Sequence, residues 1–258
     1  MNPKVSIFAS AIRARLWDSF FKSLESTSVP YEVCFAGPLR LVEVQEEFPR
    51  TSWPENFKYE RTENIKPAQA YEVARRLCTG ELMQWSADDV EYSEDCLGKA
   101  YKYWEALGAN KLVALSIQSI EDDHKFDMND HSFVGFDRST PLMAPVALIS
   151  REFVEESGGF DRRFVAGQYE NNCIMQLYEA GGGVIIFREG HVVIDHLKKH
   201  GKDHLFRAGF TKDRQVLEKI WGKRGELLRT GKSLKHEPYS DKDILTHSQC
   251  LEDNSLWI

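Results

Sequence analysis

The sequence lacks paired cysteines, a long apolar run and an excess of positive charge. Its five cysteines are scattered and include no Cys-x-x-Cys pair, so neither a disulfide framework nor a structural zinc site is indicated. The apolar run at residues 5–9 ends before Arg13 and is too short for a signal-peptide core or a membrane span. These absences predict a reducing compartment, and we expect a cytoplasmic location.

The missing positive charge also limits the partners. With 33 Lys and Arg against 40 Asp and Glu, the net charge is −7, whereas proteins that coat nucleic acid use many cations to neutralise phosphates. We therefore expect no nucleic-acid partner. The charge is uneven, because residues 197–236 carry a local net charge of +8. This basic segment predicts contact with an anionic acceptor or with a membrane surface, and a solvated helical face is the alternative.

Strand and helix signals alternate along the chain. We predict strands at residues 4–9, 31–36, 82–86, 111–117, 131–136, 145–150 and 184–187, and helices at 16–26, 67–77, 94–106, 151–157, 170–180 and from 204 to at least 221. This alternation indicates an α/β sandwich around a mixed, mainly parallel sheet. We expect one domain at residues 1–203, and a C-terminal helical, basic appendage at 204–258 that packs on it.

Two adjacent carboxylates, Asp88 and Asp89, follow the predicted strand at 82–86. Ligands of open α/β sheets bind at the carboxyl ends of strands. Adjacent carboxylates repel each other, and a divalent cation with oxygen ligands is the usual compensation. The alternative is that one aspartate caps a turn or helix while the other is exposed.

Five ordered segments carry a family resemblance. They are the first strand and its end at 4–13, GELMQWSADD at 80–89, VALISREFVEESGGF at 146–160, ENNCIMQLYEAG at 170–181 and KIWG at 219–222. Together they resemble the motifs of family 2 and related GT-A glycosyltransferases. The resemblance implies a GT-A (Rossmann-like) fold and transfer of a sugar from a UDP- or GDP-linked donor to a glycan or lipid-linked acceptor, as in polysaccharide biosynthesis.

The same resemblance implies a metal site. Mn²⁺ or Mg²⁺ would be held by Asp88, Asp89 and His196, and would neutralise the charge of the departing diphosphate. His191 and His200 are second choices for the histidine. The alternative for His196 is a position on a helix face, since histidines recur there every four residues.

The resemblance also assigns a nucleotide-sugar site. Ser10 and Arg13 match the nucleotide-contacting end of the first strand, and Lys66 stands where similar enzymes place a cation near the nucleotide. Ala87 and Asp88 complete this set, with a surface position as the alternative for either cation. No aspartate for the base follows the second strand, where the sequence reads Ala-Gly-Pro at 36–38, and Ala11 and Ile12 replace the family's tyrosine and asparagine. Donor recognition is therefore expected to be atypical.

The expected catalytic base also differs from the family pattern. Inverting enzymes of this type commonly use the aspartate of a Glu-Asp pair, but this chain has Glu170 followed by Asn171. We expect Glu170 to be the base of an inverting transfer. The alternatives are that Glu170 binds the acceptor or caps the helix, and that the protein is retaining, inactive, or a nucleotide-sugar or glycan binding module without turnover. A nucleotidyltransferase is disfavoured, because no Gly-rich phosphate loop with a following lysine lies near the N-terminus.

Overall fold

The computed structural model describes residues 2–62, 65–121, 124–125, 144, 146–194 and 207–241. The strands are β1 Val5–Ser10, β2 Tyr31–Gly37, β3 Phe57–Arg61, β4 Leu82–Trp85, β5 Glu91–Tyr92, β6 Val113–Glu121, β7 His124–Lys125, β8 Ala147–Ser150 and β9 Gly183–Ile194. The helices are α1 Trp17–Leu24, α2 Leu41–Glu47, α3 Pro67–Arg76, α4 Cys96–Ala106, α5 Arg151–Glu156, α6 Tyr169–Glu179 and α7 Arg207–Trp221. None of these described helices is both long enough and apolar enough to cross a bilayer.

The described strands form one mixed sheet. Its order is β3-β2-β1-β4-β8-β6-β9-β5, and β7 pairs with β6. β1 runs parallel to both β2 and β4, and β2 runs parallel to β3. β8 is antiparallel to both of its neighbours, and β5 is antiparallel to β9. The predicted α/β class with a mixed sheet is confirmed, and the carboxyl ends of β1, β2 and β4 meet at one edge.

Helices cover both faces of this sheet because its strands are apolar on both faces. In β1, Ile7 and Ala9 belong to the core beneath α1 and α4, whereas Phe8 belongs to the core beneath α3, α6 and α7. This alternation follows from the period of two in a strand. Burial of each large apolar side chain contributes about 1.5–3 kcal/mol. The two cores together fix the three-layer arrangement.

The C-terminal helix α7 and the residues after it pack into the same core as α3 and α6. The buried side chains from this region are Leu217, Ile220, Trp221 and Tyr239. Arg76 of α3 also donates a hydrogen bond from Nη2 to the Tyr239 carbonyl at 2.7 Å. These contacts join α7 to α3 and α6, and the expected division into a domain at residues 1–203 and an appendage at 204–258 stays a prediction.

Several elements differ from the sequence expectations. α2 and β3 were not predicted, because β3 reads Phe-Lys-Tyr-Glu-Arg on the sheet edge and has only a weak apolar alternation. β9 is twelve residues long rather than four, and its pairing with β6 shifts register between Ile117 and Gln118. The strand predicted at 131–136 lies outside the described residues.

Candidate functional site

Asp88 ties together the ends of β1 and β4. It is fully buried, and its Oδ2 accepts hydrogen bonds from the backbone N–H groups of Ile12 and Arg13, at 2.7 Å each, and from Trp17 Nε1 at 3.4 Å. Its Oδ1 accepts a hydrogen bond from Arg13 Nε at 2.8 Å and forms an ion pair with Nη2 at 2.5 Å. Both carboxylate oxygens thus bind protein donors, so Asp88 fixes the turn that follows β1.

Arg13 joins the two adjacent aspartates. Its Nη2 lies 3.3 Å from Oδ1 of Asp89, which is itself 2% exposed. Burial lowers the pKa of Arg13, but the carboxylates of Asp88 and Asp89 outweigh this effect and raise the pKa above its ordinary value. The guanidinium therefore stays charged, and it offsets the repulsion between the two carboxylates.

A cleft of about 530 Å³ opens beside Arg13, within the size range of small-molecule sites. Its walls come from the end of β1, the residue after β2, the first turns of α3 and the start of α6. The lining residues are Ser10, Ile12, Arg13, Pro38, Thr62, Ile65, Pro67, Ala70, Tyr71, Ala166, Gly167, Tyr169 and Glu170. The cleft therefore brings the predicted nucleotide-binding residues Ser10 and Arg13 together with the predicted base Glu170.

Two tyrosines form an aromatic side of the cleft. The ring centroids of Tyr71 and Tyr169 are 4.9 Å apart at an interplanar angle of 39°, and the Tyr71 hydroxyl donates to the Ser86 carbonyl. Burial raises the pKa of both hydroxyls, so both stay protonated. An aromatic surface with polar tips suits a ligand that is apolar on one face and hydroxylated at its edge.

Glu170 lies in the first turn of α6 and lines the cleft. Its Oε2 is buried and has no hydrogen-bond partner among the described residues. Burial raises the pKa of Glu170 to about 7. A carboxyl group with a pKa near neutrality is suited to accept a proton at physiological pH.

The two asparagines after Glu170 belong to the packing of α6. Asn171 is 2% exposed and donates a hydrogen bond from Nδ2 to Gln168 Oε1 at 3.0 Å. Asn172 accepts a hydrogen bond through Oδ1 from Trp221 Nε1 at 2.8 Å. Helix α6 therefore presents Glu170 to the cleft, while the following position faces inward.

The remaining predicted site residues lie around the cleft or outside the described residues. Ala87 and Asp89 flank Asp88 at the end of β4, and Asp89 approaches the cleft through its contact with Arg13. Lys66 is the N-cap of α3 and lies between two lining residues. His196, proposed as a metal ligand, lies outside the described residues, as does the second choice His200.

Sequence reasoning missed Tyr71 and Asp213. Pro67, Ala70 and Tyr71 all line the cleft, and their helical i, i+3 and i+4 spacing was a signal that identifies one face of α3. Asp213 gave no local signal, because its partners lie 46–48 residues earlier in the chain. The second-choice ligand His191 lies in β9, where its backbone N–H donates to Ser93 Oγ at 2.9 Å.

The donor chemistry at the end of β4 fits a divalent cation that takes most of its ligands from a substrate. Among the described residues, no group of three or more His, Cys, Asp or Glu side chains could enclose a metal. Mg²⁺ commonly binds one or two carboxylates together with substrate phosphates, and this arrangement needs no complete protein cage. Asp88 is occupied by protein donors, so the carboxylate of Asp89 is the better placed ligand of the pair.

Comparisons with known proteins reveal similarity in structure only. No protein-family model matches the sequence, and no curated protein sequence matches it. The fold is similar to the mannosyltransferase PcManGT from Pyrobaculum calidifontis, solved with GDP-Man and Mn²⁺, at TM-score 0.64, 19% identity and 90% coverage of this chain. It is also similar to residues 1–349 of TarS from S. aureus, at TM-score 0.56, 12% identity and 76% coverage. A third similar structure is GalNAc-T7 with UDP, GalNAc and Mn²⁺, at TM-score 0.63, 12% identity and 87% coverage.

These similarities confirm the GT-A fold. This chain spans 69% of the PcManGT chain, 61% of the TarS fragment and 49% of the GalNAc-T7 chain. TarS has also been solved with UDP and with UDP-GlcNAc. At identities below 20%, the shared fold carries no assignment of substrate, and the site itself has to supply that argument.

Proposed function

We propose that this chain is a glycosyltransferase that moves a sugar from a nucleotide-diphosphate donor to a hydroxyl acceptor. The observation that carries the proposal is one cleft with a charged Arg13 at one wall and Glu170, with a pKa near 7, at another. Structurally similar GT-A proteins bind UDP, UDP-GlcNAc or GDP-Man. The cleft thus combines an anion-binding cation with a proton acceptor, which are the two groups that this reaction needs.

The donor diphosphate is proposed to bind at the end of β1. Arg13 would neutralise part of its charge, Ser10 would donate a hydrogen bond, and Lys66 would add a second cation from the start of α3. Asp89, with His196 as a further proposed ligand, would hold Mn²⁺ or Mg²⁺, which supplies charge neutralisation at the departing diphosphate. The contribution of Asp88 is to hold Arg13 and the backbone of residues 12–13 in place.

Glu170 is proposed as the base on the acceptor side. In a single displacement, the acceptor oxygen bonds to the anomeric carbon as the bond from that carbon to the diphosphate oxygen breaks. The hydroxyl proton passes to the carboxylate of Glu170, and the anomeric configuration inverts. Tyr71 and Tyr169 provide the aromatic surface near this position, and the basic C-terminal segment is proposed to favour an anionic or lipid-linked acceptor.

A second candidate is a module that binds a nucleotide sugar or glycan without turnover. The observation that favours it is the ion pairing of Arg13 with both Asp88 and Asp89, which offsets part of the negative charge at the strand end without a further ion. In this case the cleft would recognise the ligand, and Glu170 would remain protonated as a hydrogen-bond donor.

Calorimetric titration with a panel of UDP- and GDP-sugars, with and without Mn²⁺, tests the shared part of both candidates. Binding strengthened by the metal is expected, and no binding to any nucleotide sugar contradicts both. A product assay with glycan and lipid-linked acceptors then separates them, because transfer or donor hydrolysis excludes the non-catalytic module. Glu170→Gln is the matched control: it should bind the donor like wild type and lose turnover.

A further inference from the structure

Asp213 of α7 binds three successive backbone N–H groups of the segment that leads to Glu170. It is fully buried; its Oδ1 accepts from Val165 at 3.0 Å, and its Oδ2 accepts from Ala166 at 2.7 Å and Gly167 at 2.8 Å. Hydrogen bonds to an ionised carboxylate are about twice as strong as neutral ones. Because Ala166 and Gly167 line the cleft, Asp213 acts on the cleft wall without lining it.

Helix α3 also binds this segment, through a backbone carbonyl rather than an N–H group. The carbonyl of Val165 accepts a hydrogen bond from the Ala68 N–H at 3.0 Å, in the first turn of α3. The side chains of Val165, Ala166 and Gly167 offer no hydrogen-bonding group of their own, so side-chain hydrogen bonds within the segment cannot fix its backbone. Its conformation therefore depends on the two helices that flank it.

The backbone at Gln168 indicates that this segment is constrained. Gln168 has φ 64°, in the left-handed region that a non-glycine residue rarely adopts, and it is the N-cap of α6. Such a conformation is unfavourable for a residue with a side chain and persists where the surroundings fix it. The bonds of Asp213 to the three preceding residues supply that constraint, and Glu170 follows two residues later.

We propose that Asp213 is a positioning residue that fixes residues 165–167 as the acceptor-side wall of the cleft and thereby sets the place of Glu170. The role in catalysis rests on the proposed glycosyltransferase function, whereas the role in holding the segment does not. Asp213 touches neither donor nor acceptor, and its effect on turnover passes through the backbone of residues 165–170.

Amide-resolved hydrogen exchange tests the structural part without any substrate. Asp213→Asn removes the charge and turns an amide NH₂ toward the N–H donors, so exchange at residues 165–167 should be at least 10-fold faster than in a control of equal global stability. The matched control is Glu32→Gln, since Glu32 is a buried carboxylate that accepts from Ser6 Oγ at 2.6 Å, near the start of β1 and away from the cleft. Exchange that rises only in step with global unfolding overturns the proposal.

Steady-state kinetics test the catalytic part. Asp213→Asn should lower kcat at least 10-fold per folded molecule with the donor KM within 2-fold of wild type, while Glu32→Gln keeps both constants. Equal kinetics in the two variants overturn the positioning role. If Asp213→Asn does not fold, Asp213→Glu, which keeps the charge but displaces the carboxylate, is judged by the same two readouts. If the wild-type protein has no turnover, this result contradicts the proposed glycosyltransferase function only. The exchange experiment still tests whether Asp213 holds residues 165–167 in place.

Discussion

The two walls of the cleft use buried carboxylates in opposite ways. The donor wall, as we name the wall that is proposed to bind the donor, is formed by residues 10–13 with Asp88 and Asp89, and its negative charge is partly offset because Arg13 contacts both aspartates. The acceptor wall, formed by residues 165–170, contains no such cation, and the Asp213 behind it is bound by backbone N–H groups. Glu170 in that wall keeps a buried oxygen without a hydrogen-bond partner among the described residues.

This difference bears on Glu170, the carboxyl group of the cleft that is proposed to accept a proton. Several donors favour the charged form of a carboxylate and fix its geometry, although burial outweighs the three backbone donors of Asp213 and raises its pKa. None of the ion pairs in the described part of the chain involves Glu170, and burial raises its pKa to about 7. The carboxylates of Asp88 and Asp213 thus hold the cleft walls in place, whereas Glu170, with no donor to Oε2 among the described residues, is proposed to accept the proton.

The largest expected effect comes from breaking the donor wall at Asp88. Asp88→Asn removes the charged partner of the largely buried Arg13 guanidinium. Loss of one member of a buried ion pair costs about 3–5 kcal/mol, and we expect a decrease of this order in the free energy of unfolding. Urea unfolding measures this loss. Asp89→Asn is the control, because it keeps every hydrogen bond of Asp88, and its loss of stability should be clearly smaller. Equal losses would show that the two aspartates share one structural role.

Glu170→Gln tests the acceptor wall. Loss of a positioned base lowers kcat by about 100- to 10,000-fold, whereas the affinity for the nucleotide sugar should be unchanged because the donor groups lie on the other wall. Single-turnover rates and donor titrations measure the two quantities separately. A variant that keeps the wild-type rate would contradict the role of Glu170 as the base.

The pH dependence of stability sharpens the same contrast. The pKa of Glu170 rises from 4.5 to about 7 on folding, so between these values the folded state keeps a proton that the unfolded state releases. The contribution of Glu170 to the free energy of unfolding should therefore fall as pH rises from 4.5 to 7, by up to about 3 kcal/mol, while kcat rises. Urea titrations at several pH values give the free energy of unfolding of wild type and of Glu170→Gln, and the difference between the two isolates this contribution. A pH-independent difference contradicts the raised pKa.

The smallest expected effect is at Lys66. Its charge lies at the N-cap of α3 beside the cleft, and none of the described hydrogen bonds or ion pairs involves its side chain, so Lys66→Ala should change stability by less than about 0.5 kcal/mol. Loss of one solvated cation near the diphosphate should raise the donor KM by about 3- to 10-fold, equivalent to about 1 kcal/mol. Unchanged donor KM would place Lys66 outside the nucleotide site.

Local signals were sufficient to predict most of the fold. Pro67 at the start of α3 and Gly80 before β4 mark boundaries that the structure reproduces closely. The edge strand β3 escaped prediction because its stability comes from pairing with β2 rather than from an apolar alternation of its own.

The site could be predicted only where a local pattern marked it. The Asp-Asp pair after a buried strand pointed to the end of β4, but the hydrogen bonds that occupy Asp88 come from residues 12 and 13, which are 76 and 75 positions away in sequence. Arg13 was predicted for the nucleotide, and its ion pairs with the aspartates became visible only in three dimensions. The raised pKa of Glu170 likewise arises from burial, which no short motif encodes.

The distant attachment of the C-terminal segment has a consequence for synthesis of the chain. Arg76 pairs with Asp241, which lies 165 residues later in the chain. The segment before Glu170 cannot form its hydrogen bonds with Asp213 until residue 213 has been synthesised. At about 5–20 residues per second, the parallel strands β1, β2 and β4 leave the ribosome several seconds before α7 is complete. A nascent chain can therefore assemble the proposed donor wall first, whereas the wall formed by residues 165–170 gains its contacts with Asp213 only after α7 has been made.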